Sequence, residues 1–260
     1  SFAIVRHSAK YLKFGGSHKA VIPAGKTLFS DALPFDLQPL EKLAITINYT
    51  KAPAQPTVHM GSRTTSYIMR GVTNAATNFA PSFRENHWFN IASIDVYDMT
   101  AKSIAIIGNS ITDGKNATDN ANNRWPDVLS ETLQKKHGVT DRGILNLGIG
   151  NNRVTMTGGF GFMARQRFDR DILSQRGVHT VIVFEGVNDI GAAGNGGSEA
   201  VANDLIRAYE EMIRKAKERN LRVFLGTITP FKGAGYYSIF HEAARQTVNQ
   251  WIRAQREKVD

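Results

Sequence analysis

SIAIIGNSITDG, Ser103 to Gly114, is a short apolar run that ends in glycine and passes directly to asparagine, serine, threonine and aspartate. A strand that stops at Gly108 and releases Ser110 into a loop or helix start is the reading that fixes the rest of the chain. Downstream, the pattern alternates. Arg124 to Lys136 reads as a helix, Ile144 to Leu147 as a strand, and Thr180 to Glu185 (TVIVFE) as a strongly β-branched strand. From Ser198 as N-cap, a helix is expected to run to about Arg219, with Val201, Leu205, Met212 and Ala216 on one stripe and Asn220 closing it. Leu221 to Thr227 forms a fourth strand, and Phe240 to Lys258 a last helix with Ala244, Val248, Trp251 and Ile252 inward. Strands alternating with helices imply a parallel sheet covered on both faces, a three-layer α/β/α domain over residues 101–260.

Upstream of this run the periodicity changes. Leu43, Ile45, Ile47 and Tyr49 alternate with Ala44, Thr46, Asn48 and Thr50, and Phe89 and Ile91 begin a second alternation that Ile94 and Val96 continue out of phase, as a bulge near Ala92 and Ser93 would allow. Turn residues are dense at Gly15 and Gly16, Pro23 to Gly25, Pro34, Pro39, Pro53 and Pro56. Residues 1–100 are therefore expected to form an all-β, jelly-roll-like sandwich, and its abrupt start points to earlier strands ahead of Ser1.

Composition narrows the function classes. A chain of 260 residues with 42% hydrophobic content builds an ordinary globular core. The net charge of +9 is scattered, with short clusters such as Arg214, Lys215, Lys217 and Arg219 that read as a solvated helix face, and neither an aromatic-plus-arginine pattern nor a Cys/His finger spacing accompanies it; nucleic acid is not an expected partner. Cysteine is absent, which excludes disulfides and thiol catalysis. No apolar run approaches the roughly 20 residues of a membrane span, so a soluble, already processed polypeptide is expected. HExxH, EF-hand and paired-histidine patterns are missing, so neither a metal nor a cofactor is expected.

In parallel α/β sheets function gathers at the carboxyl ends of the strands. Three successive ends carry polar chemistry here. The first offers Gly108-Asn109-Ser110-Ile111-Thr112-Asp113-Gly114, a hydroxyl beside backbone N–H groups that point outward from a helix start. The second offers Asn146-Leu147-Gly148-Ile149-Gly150-Asn151-Asn152-Arg153, which tolerates positive φ but lacks the GxGxxG spacing of a dinucleotide site. The third offers Gly186-Val187-Asn188-Asp189, where an amide can donate to an oxyanion and Asp189 can cap the segment that follows. Each alone reads as a cap or a turn; together they place a nucleophile before several oxyanion donors.

This combination resembles the SGNH (GDSL-like) hydrolases, whose blocks hold serine in GDS, a glycine, asparagine in GxND and histidine in DxxH. GNSITDG and GVNDIG match the first and third blocks. RWPD (Arg124 to Asp127), RFDRDIL (Arg167 to Leu173) and TITPF (Thr227 to Phe231) resemble a multidomain subgroup in which a β-sandwich precedes the hydrolase. The resemblance implies a flavodoxin-like α/β/α fold and a carboxylic ester hydrolase that cleaves short-chain acyl esters, with carbohydrate acetyl groups among them by analogy. Ser110 is then the nucleophile; the N–H groups of Ser110 and of Gly150 or Asn151, with the Asn188 amide, form the oxyanion hole; Asn109, Asp113 and Asp189 support the motifs. A secreted or periplasmic location follows by the same analogy.

Three departures from that pattern stand out. Asn109 replaces the usual aspartate beside the nucleophile. The family's oxyanion glycine aligns with Asn151, where a left-handed asparagine can present the same backbone N–H. No Asp-x-x-His occurs: His7, His18, His59 and His87 lie in the β half, His137 and His179 flank strands at the opposite end, and His241 reads as a solvated histidine at a helix start, so the general base is unassigned. The resemblance implies that the chain continues past Asp260 to a segment carrying the base. GxSxG is absent too, because Thr112 stands where its second glycine belongs, which argues against the α/β-hydrolase fold. Two rivals remain on this reading: a carbohydrate-binding or scaffolding protein that keeps the fold without catalysis, and a phosphate- or nucleotide-binding domain using the same loops.

Overall fold

The computed structural model describes residues 4–5, 7–74, 77–256 and 258–260, and the chain divides into two compact units. The first comprises residues 1–60 and 64–94, the second residues 61–63 and 95–260.

Of the sandwich expected in the first unit, the described residues show two small antiparallel sheets. β1 (Val58–His59) pairs with β4 (Trp88–Phe89), and β2 (Ser66–Ile68) pairs with β3 (Phe83–Glu85). The alternating stretch from Leu43 to Thr50 is not a strand, and neither is the segment through Ile94 and Val96. A strand needs a partner for its backbone N–H and C=O groups, and none pairs with these segments among the described residues. Their apolar side chains stay exposed: Ile45 and Ile47 at 43%, Val96 at 60%.

The second unit is an α/β sheet structure. β5 (Lys102–Gly108), β6 (Arg142–Gly148), β7 (Val178–Phe184) and β8 (Arg222–Leu225) form a parallel sheet in the order β6-β5-β7-β8. β5 lies between β6 and β7, with Gly108 opposite both Gly148 and Phe184, so the ends of these three strands are level. Around the sheet run α1 (Ser110–Asp113), α2 (Trp125–His137), α3 (Ala164–Phe168) with a π-helical turn at Asp169–Leu173, α4 (Val187–Ala192), α5 (Ser198–Glu218) and α6 (Ile239–Ala254). Every strand and long helix read from the sequence of this unit is present, with ends shifted by a few residues.

The core explains the arrangement. Ala105, Ile107, Val181, Val183 and Val223 from the strands meet Phe168 and Ile172, the α5 stripe of Val201, Leu205, Met212 and Ala216, and Ala244, Val248 and Ile252 of α6. These are the inward faces that a 3.6-residue period specifies, and burying each large aliphatic side chain contributes about 1.5–3 kcal/mol. Ser198 does not cap α5 as expected. Gly197 holds that position, while the Ser198 hydroxyl is buried without a hydrogen-bond partner among the described residues. Asn220 does close the helix region in the left-handed conformation, at φ 56°. Among the described residues no helix is long and apolar enough to cross a membrane.

Candidate active site

β5 delivers Ser110 through a turn that only small residues permit. A Cβ on Gly108 would lie 2.3 Å from Thr112 Oγ1 and 3.0 Å from the Phe184 carbonyl oxygen. Asn109 then caps α1, its Oδ1 accepting from the Ile111 N–H at 2.9 Å. Asparagine and aspartate cap helix starts about equally well, so a neutral amide serves at this position. Ser110 is half-buried at the first position of α1; its carbonyl accepts from Gly114 and Lys115, and its own N–H has no acceptor among the described residues.

The second strand end is fastened to the first. A Cβ on Gly148 would sit 2.3 Å from the Asp113 nitrogen, so β6 ends hard against α1. Asn146 donates to the Thr112 carbonyl at 2.8 Å, and Ile149 N–H donates to the Gly108 carbonyl at 3.0 Å. Gly150 N–H donates to Asp113 Oδ2 at 3.0 Å. That bond uses up the Gly150 donor and removes Gly150 from the expected oxyanion hole. Asn151, the alternative, has φ 53°, and its N–H has no acceptor among the described residues.

The third end joins the second through side chains. Asn188, half-buried in the first turn of α4, donates one Nδ2 hydrogen to the Asn152 carbonyl at 2.8 Å, leaving the other hydrogen for a ligand. Asp189 does not cap the segment after it. Its carboxylate accepts from the N–H groups of Val154, Thr155 and Met156 at 2.8, 2.8 and 3.2 Å and from the Thr155 hydroxyl at 3.0 Å, so it shapes the loop after β6. Burial raises its pKa, an effect that those donors oppose.

Residues that were not singled out individually in the sequence hold these loops together. Arg167, 2% exposed, and the buried Glu185 lie beneath the strand ends, with Arg167 Nη2 and Glu185 Oε2 3.9 Å apart. Both Glu185 oxygens lack a hydrogen-bond partner among the described residues, and burial pushes its carboxyl up to about 8 despite the nearby guanidinium, with Asp189 adding to the rise. Gly61, which the sequence places among β-type residues, belongs to the second unit; a Cβ there would lie 2.1 Å from Asp113 Oδ2. Its neighbours are fixed as well, because Arg124 Nη1 donates to the Ser62 carbonyl at 3.1 Å and Arg63 Nε to the Gly114 carbonyl at 3.1 Å. RWPD accordingly reads as structure: Arg124 N–H and Nε both bond Asp127 Oδ2, at 3.0 and 2.9 Å, to start α2.

Within the second unit none of the three histidines is bonded to Ser110 among the described residues. His137 ends α2 and His179 lies near the start of β7, away from the carboxyl edge. His241 is buried rather than solvated. Its Nδ1 lies 2.6 Å from the Tyr236 carbonyl oxygen and its Nε2 2.8 Å from that of Ala193, so both ring nitrogens face backbone.

A cavity of about 200 Å³ adjoins Asn152, lined by residues that include Met156, Phe160, Phe162, Met163 and Gln166. A larger hollow of about 670 Å³ lies in the first unit beside Ser8, Lys10 and Phe35, where the Ser8 hydroxyl is committed to the Val5 carbonyl at 2.7 Å.

A parallel sheet whose carboxyl edge gathers a serine, free backbone N–H groups and an asparagine amide is the architecture of an SGNH-type hydrolase. The chain belongs to the GDSL-like lipase/acylhydrolase family, whose sequence model matches residues 106–260. No curated protein matches the chain. Solved structures similar to it include a protein described as a lipolytic member of the G-D-S-L family from Desulfitobacterium hafniense DCB-2, 22% identical, covering 60% of this chain and 73% of that one at a TM-score of 0.45. A lipase/acylhydrolase from Enterococcus faecalis is 16% identical over 59% of this chain and 71% of its own, at 0.43. An acetyl xylan esterase, AlAXEase, is 20% identical over 58% and 73%, also at 0.43.

Proposed function

We propose that the protein is a serine esterase acting on short-chain acyl esters, carbohydrate acetyl groups among them, through an acyl-serine intermediate. One observation carries this reading: Ser110 and Asn151, on adjacent level strand ends, each keep a backbone N–H without an acceptor among the described residues, and the Asn188 amide after the third strand has one hydrogen uncommitted. Donors left unsatisfied at one edge suit a site that receives negative charge. Ser110 Oγ attacks the ester carbonyl carbon while its proton passes to a base; the carbonyl oxygen takes the charge and is held by the three donors. Collapse expels the alcohol, and water then releases the acid by the same path in reverse. The small apolar cavity beside Asn152 suits a short acyl group, being below the 300–1,000 Å³ typical of sites for larger ligands.

The experiment is hydrolysis of p-nitrophenyl acetate and of an acetylated sugar by the wild type and by Ser110→Ala. Loss of the nucleophile is expected to cut kcat by roughly 10⁴-fold or more; equal rates overturn the assignment. A second reading has its own observation, since none of the seven histidines follows an aspartate by three residues. On that reading the protein binds acylated carbohydrate without cleaving it, and calorimetry shows saturable binding of the acetylated sugar with no acetate released.

A further inference from the structure

We propose that Arg167 is a positioning residue for ester hydrolysis, tying three strand ends into one fixed oxyanion site; the inference rests on the esterase reading above. Its guanidinium spends its donors on backbone and loop groups beside each proposed functional residue. Nη2 donates to the Gly108 carbonyl at 3.2 Å, two residues before Ser110. Nη1 donates to the Leu147 carbonyl at 2.8 Å, at the end of the strand that leads to Asn151. Nε donates to Asn152 Oδ1 at 3.1 Å, and the carbonyl of that same Asn152 receives the Asn188 amide. One planar fork therefore bonds two of the donor-bearing loops directly and reaches the third through Asn152, an arrangement that a flexible ammonium with a single point of charge does not reproduce.

Burial makes the case stronger. An arginine taken out of water costs several kcal/mol after relaxation, and an apolar side chain of similar volume commonly serves packing as well or better. Arg167 nevertheless sits fully inside, and its close counter-charge is Asp171 at 3.1 Å, itself also held by Arg170 at 2.6 Å. Glu185, the residue after β7, lies 3.9 Å from it with no hydrogen bond among the described residues, so the guanidinium leans on the carbonyl oxygens rather than on this carboxyl. The Asn152 it orients also pins the cavity loop, donating to the Phe160 and Phe162 carbonyls at 2.6 and 2.9 Å.

The test compares Arg167→Met and Arg167→Lys with wild type and Ser110→Ala, measuring kcat and KM for p-nitrophenyl acetate, inhibition by phenylboronic acid, and melting temperature. Methionine fills the volume without charge; lysine keeps the charge without the fork, and provides a folded variant should methionine fail. In the folded variants kcat is expected to fall by roughly 100-fold, as for loss of an oxyanion donor, with KM within about twofold and boronate affinity, which depends on a tetrahedral anion in the same hole, weakened in parallel with kcat. Folded variants with wild-type kcat and boronate affinity, in a protein whose hydrolysis is abolished by Ser110→Ala, overturn the positioning role alone. Hydrolysis that survives Ser110→Ala overturns the esterase reading and this role with it.

Discussion

The two units of this chain treat the same kind of sequence signal in opposite ways. In the second, the apolar runs and stripes become a sheet and helices whose inward residues, such as Phe168, Leu205 and Val248, have no exposed surface. In the first, the cleanest alternation in the sequence, Leu43 to Thr50, stays outside any strand, and none of the described residues of that unit is buried. Periodicity tells which face a segment can bury; whether it buries anything depends on a complementary face within reach. Parallel βα units supply that complement locally, strand by helix, whereas a sandwich needs partners from distant sequence.

This contrast can be broken or sharpened by substitution. The largest effect on stability is expected at Phe168→Ala in the second unit, about 3–5 kcal/mol by chemical denaturation, because a sealed aromatic leaves a cavity; a loss below about 1 kcal/mol would mean that this core is not closed. For function the same asymmetry is expected between two asparagines. Asn188→Ala should slow ester turnover by roughly two to three orders of magnitude, about 3–4 kcal/mol of transition-state stabilisation. Asn48→Ala in the first unit removes bonds to Thr73 at 2.8 and 3.0 Å and should leave kcat unchanged. Comparable rates for the two variants would erase the distinction.

A further effect on stability depends on pH. In the folded protein the Glu185 carboxyl keeps its proton up to about pH 8, against an ordinary value of 4.5. Between those values the folded state binds more protons than the unfolded chain, so stability falls as pH rises through that window. The contribution is at most about 1.4 kcal/mol per pH unit. Glu185→Gln should lose this slope, so the melting temperatures of variant and wild type should diverge from about pH 5 to 8; parallel curves contradict the assignment. The smallest effect is expected at Ile45→Ala, within about 0.5 kcal/mol, as for an exposed residue; a larger loss would show that this face is covered after all.

Much of the second unit was legible because its signals are local. Gly108 before Ser110, the GVND turn and the α5 stripe each specify structure within a few residues, and the three polar strand ends followed from parallel order alone. What escaped the sequence was long-range. That Gly150 gives its N–H to Asp113 while Asn151 keeps its own depends on how β6 meets α1. The capping targets of Asp189, 33 to 35 residues upstream, carry no spacing signature. Arg167 looked like one basic residue among many in RFDRDIL, although its i,i+4 relation to Asp171 was a visible hint of a buried pair. Gly61 to Arg63 sat within β-type sequence, and their place in the second unit shows only in long-range contacts: Gly61 against Asp113, Ser62 with Arg124 and Arg63 with Gly114.

The central claim is that Ser110 is a nucleophile set before oxyanion donors, and covalent labelling examines it most directly. The protein is incubated with a fluorophosphonate and digested, and the modified peptide is located by mass spectrometry. A single phosphonyl adduct on Ser110, lost in Ser110→Ala and slowed in Asn188→Ala, is the expected result; a protein that stays unmodified, or carries the adduct on another hydroxyl, contradicts the account.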